Sequence, residues 1–390
     1  MNNKQEKGRS PSRRKALRDM YTRRAGILVA ALLFAVSILS MFGRDKLYSE
    51  NENRYLEAQP KLSAAAVFDG KYMENTEAYL SDHFFARDAM VNIRTQLDIF
   101  FGKKEVNNIY IGKNHFLFEK PSEYSADKVG KTLDTINKIT KSQSAASSYF
   151  ALAPNACEIL SDLMPSNAPT QNQPEQIKKV YGKLGNMKCV DILSALQKAE
   201  NKERLYYRTD HHWTYEAANI AFKQIAAQMN LNTKSVEYKS YCVTNSFKGT
   251  LASSASLFSA EDSIYITVPK TDVKYVVTYV DENKKTASVF DSSNLKKKDK
   301  YEVFFGGNFS QIEIETSAKS DKTLLLFKDS YANCLAPMLI PYFKKIIIID
   351  PRYYTGNLTQ TIQKENPTDM LWLYNVNTFL NDTSIVNSLG

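Results

Sequence analysis

The sequence predicts an α/β domain built on a largely parallel sheet and held outside the cytoplasm behind a single membrane-spanning helix. Three observations predict it. Short apolar runs at 149–153, 189–192, 323–327, 345–349 and 370–374 alternate with helical stretches such as 127–141 and 175–185. Runs such as TLLLF and IIII are apolar at consecutive positions, so both faces of those strands must be covered, as in parallel sheets flanked by helices. Finally, the eighteen residues 25–42 carry no charge, which at about 1.5 Å rise per residue nearly crosses a bilayer core of roughly 30 Å.

The elements follow in chain order. Residues 1–24 hold nine basic and two acidic side chains, leaving 42 basic against 40 acidic residues downstream. The high pI therefore belongs to the tail, and the near-neutral remainder offers no nucleic-acid footprint. Basic residues before the span outnumber those just after it, so 1–24 is expected in the cytoplasm, 25–42 as a signal anchor and the rest outside. A cleaved signal peptide is the competing reading; the length of the apolar stretch and the lack of a clean small-x-small site between Phe42 and Arg44 count against it. Residues 43–70 read as a juxtamembrane stalk and 71–390 as the globular domain. From 70 to 101 apolar residues recur at helical spacing, which predicts one or two amphipathic helices. Residues 108–111 and 115–119 flank a Gly-Lys-Asn turn, a hairpin signal.

Between about 235 and 320 the pattern changes to alternating segments at 264–268, 275–279, 287–290, 302–305 and 311–315, which predict an antiparallel β insertion. The lysine-rich run 296–300 reads as a solvated loop. Cys157, Cys189, Cys242 and Cys334 are widely spaced without a CxxC. They predict neither a metal site nor a disulfide framework, and small buried hydrophobes are the plainer reading.

Chemistry concentrates in Thr209-Asp210-His211-His212-Trp213-Thr214. In an extended segment Asp210 and His212 share a face and His211 turns away, so the carboxylate is positioned to hold the His212 tautomer. Metal binding by Asp210, His211 and His212 is the lesser alternative, because divergent histidines make a poor ligand set; no metal or cofactor is expected. Thr214 is the expected N-cap of a helix carrying Ala218, Ala221, Ile225 and Met229 on one face. Ser330 is the candidate nucleophile: it follows the run 323–327, at the edge where open α/β sheets place ligands and where backbone N–H groups stabilise an oxyanion. The bland readings stand beside these: a helix-start carboxylate, packing histidines and a core Trp213. His83 and His115, set among aromatics, read as packing residues.

These residues resemble the signature of the DHHW family, which is similar to the SGNH-hydrolase-like domains of the alginate O-acetylation proteins AlgJ and AlgX. The resemblance includes Glu52-Asn53-Arg54, then Tyr79, Asp82, Phe84 and Arg87, and Ile111-Gly112-Lys113 with Phe116-Leu117-Phe118 and Pro154. It continues through Lys328-Asp329-Ser330-Tyr331 and Asp350-Pro351-Arg352-Tyr353, covering about residues 50–376. It implies a flavodoxin-like three-layer domain, circularly permuted so that the Asp-x-His element precedes the serine, with Asp210, His212 and Ser330 as the triad. It further implies a single-pass protein of a bacterial plasma membrane that O-acetylates, or de-acetylates, a cell-surface polysaccharide with acetyl groups from a multispanning membrane O-acyltransferase. Lys328 departs from the glycine that ordinary SGNH enzymes carry before Asp-Ser. The oxyanion and substrate positions are therefore open, with Asn155, Asn308, Tyr331 and Trp213 as candidates. The reading from another class is a non-catalytic polysaccharide-binding or scaffold protein of an envelope assembly machinery.

Overall fold

The computed structural model describes residues 11–41, 46–49, 54–257 and 260–390. Contacts divide the chain into two units, Met1–Gln96 and Leu97–Gly390.

The first unit contains helix α1 (Pro11–Met41), which starts well before the apolar stretch and runs through the basic residues. Within it, Lys15–Ser40 is the one helix among the described residues long and apolar enough to cross a membrane. The first ten residues of the basic tail, Phe42, Glu52 and Asn53 lie outside the described residues. The predicted amphipathic helices are α2 (Lys71–His83), within this unit, and α3 (Arg87–Phe100), whose last turn belongs to the second. Near the C-terminal end of α2, Asp82 is buried and accepts the Glu57 N–H at 3.0 Å.

The second unit is organised by an eight-stranded sheet. In chain order its strands are β1 (Ser147–Ala153), β2 (Lys188–Val190), β3 (Tyr275–Tyr279), β4 (Lys284–Thr286), β5 (Gln311–Thr316), β6 (Thr323–Lys328), β7 (Lys345–Ile349) and β8 (Asp369–Asn375). Across the sheet they run β4-β3-β5-β7-β6-β8-β1-β2. From β7 to β2 every pairing is parallel, and from β4 to β7 every pairing is antiparallel.

Why the parallel strands are apolar throughout is visible in their alternation. Leu324 and Leu326 of β6 join one hydrophobic cluster with α6 (Ile192–Gln197) and α7 (Tyr215–Gln228), while Leu325 and Phe327 join a second. That second cluster contains residues of α4 (Ala126–Ser142), α5 (Gln173–Tyr181), α8 (Leu358–Glu365), α9 (Val376–Asn381) and α10 (Ser384–Leu389). Each such side chain contributes roughly 1.5–3 kcal/mol of burial, so a run like TLLLF is stable only with both sides covered.

The β-rich block is divided between two places. Strands β3, β4 and β5 extend the central sheet, whereas Glu237–Phe247 and Asp262–Lys270 form a separate antiparallel ribbon. Two predicted strands there are mostly something else: 287–290 makes a single bridge through Phe290 to Phe304, and 302–305 overlaps a 3-10 turn, Lys300–Val303. The Asp299 side chain caps that turn by accepting the Tyr301 N–H at 3.2 Å, a local bond that competes with strand pairing. The hairpin is present as Ile109–Ile111 with Leu117–Glu119. His115 at its tip is exposed with φ +64°, so the left-handed turn carries it away from the aromatics expected to cover it. All four cysteines are unpaired; Cys157 and Cys334 are buried, and Cys242 is exposed.

Candidate active site

Strand β6 ends at Lys328 and delivers Asp329 and Ser330 to the carboxyl edge of the parallel sheet. Asp329 fixes the serine. One carboxylate oxygen accepts the Tyr331 N–H at 2.9 Å, starting the 3-10 turn Ser330–Cys334, and the other accepts the Asn375 N–H at 2.8 Å from the end of β8. Burial pushes the Asp329 carboxyl up; the Arg352 charge and these two N–H bonds oppose it. Ser330 thus sits on two strand ends tied together, 9% exposed.

The histidine arrives from the segment before α7. Thr214 caps that helix by accepting the Glu216 N–H, as its sequence position predicts. Ahead of it the chain bends instead of extending, because Asp210 Oδ1 accepts both the His212 backbone N–H (2.9 Å) and His212 Nδ1–H (2.6 Å). Short polar side chains that bond their own backbone two residues on make such turns. The bend corrects the expected divergence of the histidines: the His211 and His212 rings lie 3.9 Å apart.

Because a carboxylate can only accept, His212 carries its proton on Nδ1 and presents a lone pair at Nε2. That lone pair meets Ser330 Oγ at 2.8 Å. The structure thus brings Asp210, His212 and Ser330 into one hydrogen-bonded line. The His212 ring is stacked on Tyr301 at 3.8 Å and 13°.

Asp210 is fully buried and held by four donors. Beside the two from His212, its Oδ2 accepts the N–H of Thr250 (2.8 Å) and its hydroxyl (2.9 Å). Burial alone would raise its carboxyl; the neighbouring histidine charges and these hydrogen bonds outweigh that and hold it well below the usual carboxylate range. Thr250 Oγ also receives His211 Nδ1 at 2.7 Å. The preceding Gly249 has no room for a side chain, since a Cβ there would fall 2.2 Å from the Asp210 Cβ. Asp262, on the antiparallel ribbon, accepts the N–H and hydroxyl of Thr209 at 2.8 and 2.6 Å and so fixes the start of the bend.

Asp210, His211 and His212 place one ligand atom each within 4.8 Å of one another. Three of the polar atoms that would ligate, Asp210 Oδ1, His212 Nδ1 and His212 Nε2, are engaged with one another or with Ser330.

The other candidates fall in different surroundings. Trp213 is fully buried and its indole N–H donates to the Tyr331 carbonyl at 2.8 Å, so it braces the serine turn from inside. Tyr331 is also buried, and its hydroxyl donates to the His211 carbonyl, locking the two loops together. Asn155 donates to Asn375 Oδ1 (3.0 Å), joining the ends of β1 and β8, and to Glu119 (3.4 Å) of the hairpin strand Leu117–Glu119, which commits its amide. Asn308 accepts from Lys328 Nζ at 2.9 Å and from Asn333 at 3.0 Å.

Those last contacts belong to a second buried charge cluster. Lys328 Nζ lies 3.0 Å from Asp350 Oδ2, and Arg352 grips the same carboxylate with two donors at 2.8 and 2.6 Å. Burial pulls the Lys328 ammonium down against the pull of Asp350. Sequence reasoning missed Thr250, Tyr301, Asn375 and Asp262 as parts of the site. None sits in a motif; each arrives from a distant segment, and only the Gly-Thr pair 249–250 marks a tight approach. A polar cavity of about 580 Å³ lined by Tyr110, Asn167 and neighbours contains none of the Asp210–His212–Ser330 line.

Comparison with known proteins gives one fold and one family. A DHHW family protein from Eubacterium siraeum is 21% identical, with a TM-score of 0.62 over 73% of this chain and 96% of that one. PatB1 of Bacillus cereus, solved with a sulfonyl adduct, is 21% identical, with a TM-score of 0.61 over 72% of this chain and 97% of that one. Among curated proteins, the probable alginate O-acetylase AlgJ of Pseudomonas syringae pv. tomato is 21% identical over 170 residues, which span 41% of this chain and only 43% of that protein. The profile of the DHHW protein family matches residues 109–349, a stretch that contains the Asp-His-His-Trp motif and Ser330, and the chain belongs to that family.

Proposed function

We propose that this protein is an extracytoplasmic, serine-dependent acyltransferase that moves an acetyl group onto, or off, a hydroxyl of a cell-surface polysaccharide. The observation that carries the reading is the continuous line from Asp210 through His212 to Ser330 Oγ, with contacts of 2.6 and 2.8 Å. His212 Nε2 takes the serine proton as Oγ attacks an acyl carbonyl, then returns it to the leaving oxygen, leaving an acyl-serine. In the second half His212 deprotonates the acceptor hydroxyl, the acceptor oxygen attacks the acyl carbon, and the serine leaves with its proton restored. Asp210 orients the imidazole and stabilises its charged form. The Tyr301 face against that ring adds a cation–π contribution at the same moment. The N–H of Ser330 opens its turn without an intrahelical acceptor, which suits it to receive the developing oxyanion.

The strand order supports the permuted-domain reading. When counting starts at β6, the strand before the serine, the five parallel strands β7-β6-β8-β1-β2 run second, first, third, fourth, fifth, the flavodoxin-like order. The helix-bearing residues of both hydrophobic clusters fit three layers. Lys15–Ser40 serves as the anchor, and the basic residues before it put the remainder outside by the positive-inside rule. The likeness to a probable alginate O-acetylase supports a polysaccharide acceptor, with a multispanning membrane acyltransferase as the acetyl donor.

The test is hydrolysis of a chromogenic acetyl ester by the full chain in detergent, beside mass spectrometry after a sulfonyl fluoride. A single sulfonyl addition on Ser330, absent from Ser330→Ala, together with ester hydrolysis lost in the same variant, is the expected result. Equal labelling of both proteins would sink the nucleophile assignment.

A further inference from the structure

Helix α3 has its apolar side turned outward. Met90, Ile93, Leu97 and Phe100 recur at helical spacing, and all are exposed, Ile93 at 58% and Phe100 at 81%. Thr95 is the buried residue of this helix, and Val91 and Asn92 are half-buried. A helix between solvent and core ordinarily shows the reverse, apolar residues inward and polar residues outward. Phe85, just ahead of the helix, is exposed as well.

The same corner is fastened to the outer end of the apolar span. The Phe85 N–H donates to Ser40 Oγ at 2.9 Å, and Ser40 is the last residue of the segment able to cross a membrane. His83 Nε2 contacts the Lys46 carbonyl at 3.0 Å and its Nδ1 the Tyr79 carbonyl at 3.0 Å, so the chain just beyond the span is held against the end of α2. A residue bonded to the terminal turn of a spanning helix lies at the level where that helix leaves the hydrocarbon. An outward apolar helix beginning two residues later therefore starts at the lipid–water boundary.

We infer that α3 is an interfacial helix, lying along the outer leaflet with Met90, Ile93, Leu97 and Phe100 among the upper acyl chains. Amphipathic helices of this kind bury their apolar face about 5–10 Å into the headgroup and acyl boundary. The inference rests on reading Lys15–Ser40 as a membrane span, and it adds a second lipid contact to that span. Lipid is the occupant because the hydrogen bond to Ser40 fixes the start of the helix at the bilayer exit, whatever else approaches from the aqueous side.

The chain provides a quiet background for the test, since its two tryptophans, Trp213 and Trp372, are fully buried. Full-length Ile93→Trp and, separately, Leu32→Trp in the span are placed in phosphatidylcholine nanodiscs made with or without brominated acyl chains, and tryptophan emission is also titrated with aqueous acrylamide. The expected result is loss of most of the added emission in brominated discs for both variants, with acrylamide reaching neither well. Quenching of Leu32→Trp by bromine while Ile93→Trp answers only to acrylamide would overturn the interfacial helix and leave the anchor intact. Protection of Ile93→Trp from both quenchers would also overturn it, by assigning the face to a protein contact. Failure of bromine to quench either variant would remove the anchor and the inference together.

Discussion

Two buried charge clusters flank Ser330, and they differ in how they end. On the Lys328 side the chain of contacts closes: Lys328 and Arg352 both point at Asp350, and Lys328 also donates to Asn308. On the Asp210 side it stays open, since four donors fill the carboxylate but the last atom, His212 Nε2, holds a lone pair against a hydroxyl. A closed cluster only stabilises the end of a strand. An open one has a proton to move. Burial of charge is common to both, so burial by itself does not distinguish structure from chemistry; the direction in which hydrogen bonds run does.

That contrast is broken most severely at the open end. Ser330→Ala should lower ester hydrolysis by about 10⁴-fold or more while the melting temperature holds, as expected where triad members act as a unit; steady-state rates beside thermal denaturation check it. Asp210→Asn should cost about 10⁴-fold near neutral pH through loss of the correct imidazole tautomer, with part of the rate recovered at higher pH in a pH–rate profile.

At the closed end the loss should appear in stability instead. Lys328→Met leaves Asp350 with one partner in a dry site and should destabilise by about 3–5 kcal/mol, the usual result of removing one member of a buried ion pair. Chemical denaturation measures it, and an unchanged midpoint with lost activity would show that this cluster also takes part in the chemistry.

A smaller effect concerns Asp299, which caps the turn carrying Tyr301. Burial first, then the nearby Asp210 and Glu302 charges, push its carboxyl from an ordinary 3.8 up to about 7. The folded state therefore holds this proton more tightly than the unfolded chain. Its contribution to stability is complete below the unfolded value and is lost as pH rises through about 7. Asp299→Asn keeps the capping oxygen and should gain on wild type between pH 5 and 8, by on the order of 1–2 kcal/mol after allowing for partial exposure. Melting curves across that range check the sign. The smallest effect is expected at Tyr301→Phe, which keeps the ring under His212 and loses the hydroxyl's 3.3 Å contact to the Ser330 carbonyl and its hydrogen bond with the Cys334 thiol; kcat/KM should fall less than about five-fold, under 1 kcal/mol.

Much of this was legible from residue order. Runs 323–327, 345–349 and 370–374 announce strands because they are four or five consecutive apolar residues, too short for a helix and suited to a sheet covered on both faces. Thr214 marks a helix start by its own chemistry. The block 235–320 was legible as antiparallel, but whether its strands joined the central sheet or stood apart was not, because period-two alternation says which face is buried and nothing about the neighbour. The geometry of 209–212 was misread for a related reason: an extended spacing was assumed where the Asp210 carboxylate bends the backbone back on itself.

By itself, then, the sequence determined the local facts: an apolar span behind a basic tail, five parallel strands, and a carboxylate, an imidazole and a hydroxyl on segments 118 residues apart. Only the tertiary structure decided that these meet, that Thr250 and Tyr301 complete the surroundings, that Trp213 braces the turn, and that Lys328 closes on Asp350. The physical reason is range. Helix caps, apolar periodicity and charge asymmetry act over a few residues and leave a mark in the order of side chains. A hydrogen bond of 2.8 Å between β6 and a distant loop depends on how an entire sheet is assembled, and no short pattern records it.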